Sequence, residues 1–269
     1  MNEFSRIITL TTDFGIRDTY VGIMKGVILG INPDVQIVDL THAIPPQDIH
    51  EAAFTIYSAH RYFPKGTIHT IVVDPGVGTD RQAVACEIEG TFFVCPDNGV
   101  LTYLLQNIGN KAEHAMNAAA IQNPDYFLPE VSNTFHGRDI FAPVAAHLSL
   151  GVPLTNIGPL MPDLVEFPIL TPQVSQNTIT GHIVKIDRFG NAITNISERT
   201  LANDTSAYEI RVRNTRLKQI NRAYAESEVG APLAIIGSYG LLEIAINGGN
   251  AEISLGLKWG DVVEVRRFD

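Results

Sequence analysis

At 269 residues the chain is longer than one hydrophobic core usually sustains, so two domains are expected. Hydrophobic residues make up 45% and charged residues 18%, with a mean hydropathy of +0.09, which argues against a disordered chain. The formal net charge of -10, from 29 acidic against 19 basic residues, speaks against a surface built to neutralise a phosphate backbone, so no nucleic-acid partner is expected.

The first fifteen residues hold one short apolar run, broken by Thr and Asp, without the charged, apolar and cleavage regions of a signal peptide. No stretch approaches the roughly 20 apolar residues of a membrane span, so a cytoplasmic protein with no membrane partner is expected. Residues 6–12 read as a buried strand that ends at Asp13-Phe14-Gly15. Asp18 is then placed to cap a helix whose apolar positions Val21, Met24, Ile28 and Ile31 recur near helical spacing, and Asn32-Pro33 ends it. Residues 35–40 form the next strand. Asp48 followed by Glu51 resembles a capping box before a helix running to about Tyr62, and residues 67–73 form a third strand. This βαβ alternation predicts an α/β domain with a central, mostly parallel sheet.

A hairpin follows, 83–89 and 91–95, turning at Glu89-Gly90. Counting outward pairs Cys86 with Phe93 and Cys95 with Val84, so the cysteines are diagonal neighbours and are expected to remain buried thiols in a reducing compartment. Asp139 is expected to open a helix with Ile140, Val144 and Leu148 on one stripe. Residues 158–178 carry Pro159, Pro162, Pro168 and Pro172 and suit a linker lying across a surface. Beyond it come short strand-like runs at 182–186, 192–196, 208–213, 233–237, 243–247 and 262–267. They predict a small all-β, barrel-like domain, with the domains at 1–170 and 171–269.

Ligands of an open α/β sheet bind where strands end and loops converge, and Asp13 and Asp74 both fall there. Either alone is equally well read as a helix cap or turn former; two in equivalent places point to a site. Gly76 and Gly78 permit a tight turn, but GxGxxG and GxxxxGK[ST] are both missing, so a phosphate cradle is not supported. In residues 133–143, NTFHGRDIFAP, His136 and Arg138 lie in a polar knot whose plainer reading is a helix entry capped by Asp139. No histidine pair has HxxxH or HxH spacing, so no metal is expected. In the second domain Asp187, Phe189 and Asn191 surround a turn. As a hairpin loop they need no function, yet an exposed aromatic offers a stacking face and an amide can pair with a purine edge. Ser238 and Glu243 lie beside turn glycines further on. Two readings of these residues are a metal-dependent phosphohydrolase using Asp13, Asp74, His136 and Asp139, and a non-catalytic protein that only binds a nucleoside such as adenosine.

Six segments taken in order, TLTTDFGIRDTYVG, VVDPGVGTDR, VCPDNGVL, NTFHGRDIFAP, KIDRFGNAITNI and GSYGLLEIAINGGNA, closely resemble the S-adenosyl-L-methionine (SAM) hydroxide adenosyltransferases. These adenosine-forming SAM hydrolases are relatives of fluorinase and chlorinase. The resemblance implies an α/β domain followed by a β-barrel, a homotrimer with sites between subunits, and cleavage of SAM by water at ribose C5′ to adenosine and methionine. It implies no cofactor, SAM being the substrate. The family's triad falls on Asp74, Arg81 and His136. Asp13 is implied to hold the ribose hydroxyls, Asn191 the adenine edge, Ile246 the adenine through its backbone, and Ser238 with Glu243 the methionine end. Phe189 is implied to stack or pack beside the adenine; Asp74, Asp187 and Tyr239 complete the implied substrate-binding set. The halogenating relatives carry an aromatic residue where Asp74 stands and an inserted loop that is not evident here, which favours water over halide.

Overall fold

The computed structural model describes residues 7–108, 116–201 and 208–267. It divides into two compact units, Met1–Phe167 and Pro168–Asp269.

The first unit is built on strands β1 (Ile7–Thr12), β2 (Gln36–Thr41), β3 (Ile68–Val72), β4 (Ala83–Ile88), β5 (Thr91–Pro96), β6 (Met116–Ala120) and β7 (Leu160–Met161). They form a seven-stranded sheet in the order β2-β1-β3-β5-β4-β6-β7. The pairs from β2 to β5 are parallel and those from β5 to β7 antiparallel, so the sheet is mixed, not mostly parallel as expected. The cause is local. Glu89 and Gly90 both have positive φ, 49° and 82°, the geometry of a two-residue hairpin turn, which makes β4 run against β5. Its register matches Cys86 to Phe93 and Cys95 to Val84, and both thiols are buried and free.

Helices cover both faces. Helix α1 (Tyr20–Ile31) places Met24 and Ile28 with Ile8 and Leu10, together with Val144 and Leu148 from a later helix, α4 (Ala142–Ser149). On the other face α2 (Ile49–Ala59) and α3 (Thr102–Ile108) bring Ile56 and Leu104 onto Ile71 and Phe93. Alternate residues of β1 and β3 thus meet apolar layers on opposite sides, which is why both strands read as continuous buried runs. The Asp48 half of the expected capping box forms at α2, Glu51 N–H donating to Asp48 Oδ1 at 2.9 Å, while Asp48 N–H donates to the Pro45 carbonyl at 3.0 Å. The expected Asp18 cap does not form. Helical geometry already holds at Thr19, whose carbonyl accepts from Ile23 N–H at 2.9 Å, so Asp18 lies one residue outside the capping position. A short helix α5 (Leu154–Ile157) precedes β7, and residues 160–167 then lie along this unit, Val165 N–H donating to Asp97 and Phe167 N–H to Thr102.

The second unit is all-β apart from short helical turns. Its strands are β8 (Gln173–Val174), β9 (Thr178–Ile186), β10 (Ala192–Ser197), β11 (Tyr208–Val212), β12 (Thr215–Leu217), β13 (Ile220–Asn221), β14 (Pro232–Ile236), β15 (Leu241–Ile246) and β16 (Val262–Arg267). They run in the order β12-β11-β16-β9-β10-β15-β14-β13, with β8 added on β9. The far ends curl together, β12 coming within 8 Å of β14, so the sheet is a nearly closed barrel around Ile183, Ile196, Ile210, Ile244 and Val263. Helix α6 (Ala251–Leu255) is capped by the Asn250 side chain, which accepts from Ile253 N–H. Among the described residues no helix is long and apolar enough to cross a membrane.

Candidate active site

Parallel pairing sets Thr12 opposite Val72, so β1 and β3 end together and bring Asp13 and Asp74 to the same edge of the sheet. Asp74 stands just past the fully buried Val73, whose carbonyl accepts from Asn98 Nδ2 at 3.0 Å. The chain then folds back tightly. Val77 N–H donates to the Asp74 carbonyl at 3.2 Å, and the Thr79 hydroxyl to that of Gly76 at 2.7 Å. Gly78 has φ +76°, and a Cβ there would sit 2.3 Å from the Asn133 carbonyl oxygen, so only glycine fits between this turn and the segment that carries His136.

The turn returns Arg81 to Asp74. Arg81 Nε donates to Oδ1 and Oδ2 at 2.9 and 3.1 Å, and Nη2 donates to Oδ2 at 2.5 Å. The same Nη2 lies 2.8 Å from His136 Nδ1. The pair is nearly sealed from solvent, with side-chain exposures of 5% for Asp74 and 12% for Arg81, and the guanidinium lies 5.4 Å over the Phe141 ring. A guanidinium has donors and no acceptor, so Nδ1 of His136 must present its lone pair, and the neutral ring carries its proton on Nε2. Electrostatics agree: burial first, then the Arg81 charge, hold the His136 pKa below its ordinary value, against an opposing pull from Asp74.

Asp139 does not cap a helix as expected. It lies fully buried inside a π-helical turn, Gly137–Phe141. Its Oδ2 accepts from Ser132 N–H and from the Ser132 hydroxyl, both at 2.8 Å, while Arg138 donates to both carboxylate oxygens. Burial pushes its pKa up, but Arg138 and Ser132 more than reverse this and hold the carboxyl below its ordinary range. Asp139 therefore braces the loop before His136, and Arg138 serves Asp139. A wide turn of this kind is a common way to bend a helix at a functional site. With Asp139 and Asp74 both engaged by arginines, the metal-binding reading loses its ligands. Among the described residues no group of three or more His, Cys, Asp or Glu side chains is placed to hold a metal.

A cleft of about 330 Å³ opens above these groups, lined by Asp13, Gln47, Asp74, Thr134, Phe135 and His136. That volume lies at the lower end for small-molecule sites. Phe14, Tyr20 and Phe135 meet edge to face or tilted, at centroid distances of 5.1 to 5.9 Å, behind its apolar wall. Asp13 Oδ2 accepts from Gln47 N–H at 2.8 Å, and among the described residues its Oδ1 takes no hydrogen bond. Gln47 itself is held at φ 66°, a left-handed conformation costly for a residue with a side chain. Sequence reasoning did not find Gln47, because nothing in Pro-Pro-Gln-Asp marks a glutamine for that conformation.

In the second unit the remaining candidates lie along β15. Asp187 turns its carboxylate onto its own loop: Oδ1 accepts from the N–H groups of Phe189 and Asn191, both at 2.8 Å, and Oδ2 from Asn191 Nδ2 at 3.0 Å. Asn191 is nearly buried, with its Oδ1 unpartnered among the described residues, whereas Phe189 is 75% exposed. The loop is packed against the 247–250 turn that follows Ile246, Gly190 having φ +82° and no room for a Cβ beside Asn250. The Ile246 carbonyl already accepts from Gly249 N–H. Register places Glu243 opposite Ile193; its carboxyl is buried, 3.4 Å from the Tyr224 hydroxyl, and raised in pKa by burial and then by Asp187. Ser238, exposed, and Tyr239, half-buried, lie on the turn into β15, at the opposite end of the strand from Ile246. Asn191 and Ile246 thus gather at one end of a six-residue strand and Ser238 and Tyr239 at the other, roughly 17–20 Å apart, with Glu243 between.

Comparison with known proteins adds to this geometry. Residues 8–158 match the SAM hydroxide adenosyltransferase N-terminal domain model and residues 181–264 the corresponding C-terminal domain model. An (R)-S-adenosyl-L-methionine hydrolase of Thermus thermophilus is 40% identical over 95% of this chain and 97% of its own length. A fluorinase of Nocardia brasiliensis is 30% identical over 97% of this chain and 96% of its own. A crystal structure of a conserved protein from Thermotoga maritima superposes with a TM-score of 0.87 at 36% identity, covering 97% of this chain and 100% of that one.

Proposed function

The chain belongs to the SAM hydroxide adenosyltransferase family, and from that premise we propose that it hydrolyses SAM at ribose C5′, giving adenosine and L-methionine. The observation that carries this reading is the single guanidinium nitrogen, Arg81 Nη2, that joins Asp74 to His136 at the cleft that also holds Asp13. The alternatives of a metal-dependent phosphohydrolase and of a non-catalytic binder are not supported.

The chemistry follows from the substrate's sulfonium. A water oxygen attacks C5′, the C5′–S bond breaks with its electron pair moving to sulfur, and methionine leaves as a neutral thioether. No acid is needed for departure and no cofactor for activation. What the site must supply is a deprotonated, aligned water. We assign the proton to Asp74. In the tautomer that Arg81 imposes, His136 turns its lone pair to the guanidinium, so it cannot accept from water without first breaking that contact. Arg81 keeps its charge at any working pH and stabilises hydroxide character on the water.

Asp13 is assigned to the ribose diol, its Oδ1, unpartnered among the described residues, being the available acceptor. Asn191, Ile246 and Phe189 are assigned to adenine, Glu243, Ser238 and Tyr239 to the methionine end, and Asp187 to shaping the loop beside them. The length of the β15 strip suits an elongated ligand such as SAM. A homotrimer with sites at subunit interfaces and a cytoplasmic location complete the reading; they rest on the family resemblance and, for the second, on two buried thiols left unpaired. The hydrolase relatives' names point to the (R) epimer at sulfur as the substrate.

Mass spectrometry after incubation of SAM with the protein in ¹⁸O-water tests the bond broken. Label in the 5′-hydroxyl of adenosine is expected; unlabelled adenosine, or label confined to another product, overturns attack at C5′.

A further inference from the structure

His42, 7% exposed and just past the end of β2, is not among the residues that line the cleft. Its placement is set by a bulge. The β1–β2 register shifts between Leu10 and Thr11, which pair with Asp39 and Thr41, so that one extra residue on β2 carries His42 level with Thr12. His42 then holds the first turn after β1 at two points. Its Nδ1 is 2.9 Å from the Thr12 hydroxyl, which is fully buried and also accepts from Phe14 N–H at 3.2 Å. Its carbonyl accepts from Gly15 N–H at 2.8 Å. Asp13 is the one residue between Thr12 and Phe14, so its backbone is clamped on both sides by groups that His42 organises. On its far side, His42 Nε2 lies 3.0 Å from Asp39 Oδ1, and Lys25 pairs with that carboxylate at 2.6 Å.

We propose that His42, through the Thr12 hydroxyl, is a positioning residue for Asp13, fixing the carboxylate for recognition of a vicinal diol. This rests on the reading of Asp13 as the ribose-holding group. Among the described residues the Asp13 side chain has one brace, the N–H of Gln47, a residue held at positive φ, and that brace fixes only one oxygen. Aiming the other depends on the backbone, and the backbone depends on His42. A buried hydroxyl shared between an imidazole and a main-chain N–H is costly to leave half-paired, which gives the contact leverage over the loop.

Thr12→Val, which keeps the packing shape, and His42→Leu remove the shared contact; His42→Asn restores a polar group near the Nδ1 position. Calorimetric titration with adenosine and with 2′,3′-dideoxyadenosine, alongside steady-state hydrolysis of SAM, reads the effect. Wild type is expected to prefer adenosine. Thr12→Val and His42→Leu are expected to lose about 10-fold of that preference and to raise KM about 10-fold with kcat within about twofold, while His42→Asn recovers most of both. A wild type that binds both nucleosides equally overturns the assignment of Asp13 and with it this proposal. A wild type that discriminates, with a folded Thr12→Val variant that discriminates equally, overturns the role of His42 and Thr12 alone.

Discussion

Two short loops, 74–81 and 187–191, are each organised by an aspartate at their first residue, and they use it in opposite ways. In the first, Asp74 is met by a charge: Arg81 returns after seven residues and grips both carboxylate oxygens. In the second, Asp187 is met by neutral groups only, two backbone N–H donors and the Asn191 amide. A buried carboxylate with a guanidinium beside it is a fixed dipole able to stabilise charge that develops near it. A carboxylate saturated by its own loop is structural. What the second loop leaves for a ligand is the Asn191 Oδ1, unpartnered among the described residues, and the exposed Phe189 ring, groups that recognise shape and hydrogen-bond pattern. Under the proposed function one loop serves the reaction and the other recognition, and replacing the two aspartates should then produce different kinetic signatures.

The largest effect is expected from Asp74→Asn. An amide keeps the size and part of the hydrogen bonding but cannot take a proton from water, so kcat for adenosine formation should fall about 1,000-fold with KM little changed. A variant retaining a tenth of wild-type kcat would remove Asp74 from the proton path. Asp187→Ala should act on the other parameter. Its loss frees the N–H groups of Phe189 and Asn191 and lets the Asn191 side chain rotate, so KM for SAM should rise by about 10- to 100-fold while kcat stays within a fewfold. A fall in kcat with an unchanged KM would mean that the 187–191 loop takes part in the reaction rather than in recognition.

The contrast between the loops is partly legible in the sequence. Asp74 and Arg81 stand seven residues apart around two glycines, and the apolar runs that precede Asp13 and Asp74 put both carboxylates at equivalent strand ends. The hairpin register follows from Glu89-Gly90, because a two-residue turn fixes every pair outward from it. The missing parts depend on contacts distant in sequence. β6 and β7 are short and join the sheet at the edge that β4 leaves, extending the antiparallel half that the hairpin begins. Asp139 reads as a cap from its neighbours, yet Ser132 and a π-helical turn draw it inside. The left-handed backbone of Gln47 and the bulge that aims His42 leave no mark on residue type. Local sequence places Asp13 and Asp74, the family resemblance adds Arg81 and His136, and only tertiary packing shows which groups hold them.

The smallest expected effect is also the most direct probe of the charge in the first loop. His136 titrates below its ordinary value of 6.5 because burial and then the Arg81 charge disfavour its protonated form, while Asp74 favours it. Between the lowered folded value and 6.5 the unfolded chain binds more protons at this site than the folded one. His136 therefore contributes stability that is present above that window and is lost as pH falls through it. Removing either neighbour should move the group in a known direction: Arg81→Gln upward, because the opposing charge is gone, and Asp74→Asn downward, because the favourable one is. Since burial is the larger cause, neither change should carry His136 far. Proton NMR of the imidazole C–H signals across the acid range reads both shifts without requiring an active enzyme. Shifts of opposite sign are expected. If both variants moved the histidine the same way, the three groups would not form one electrostatic unit, and the first loop would have to be described, like the second, as a structural turn.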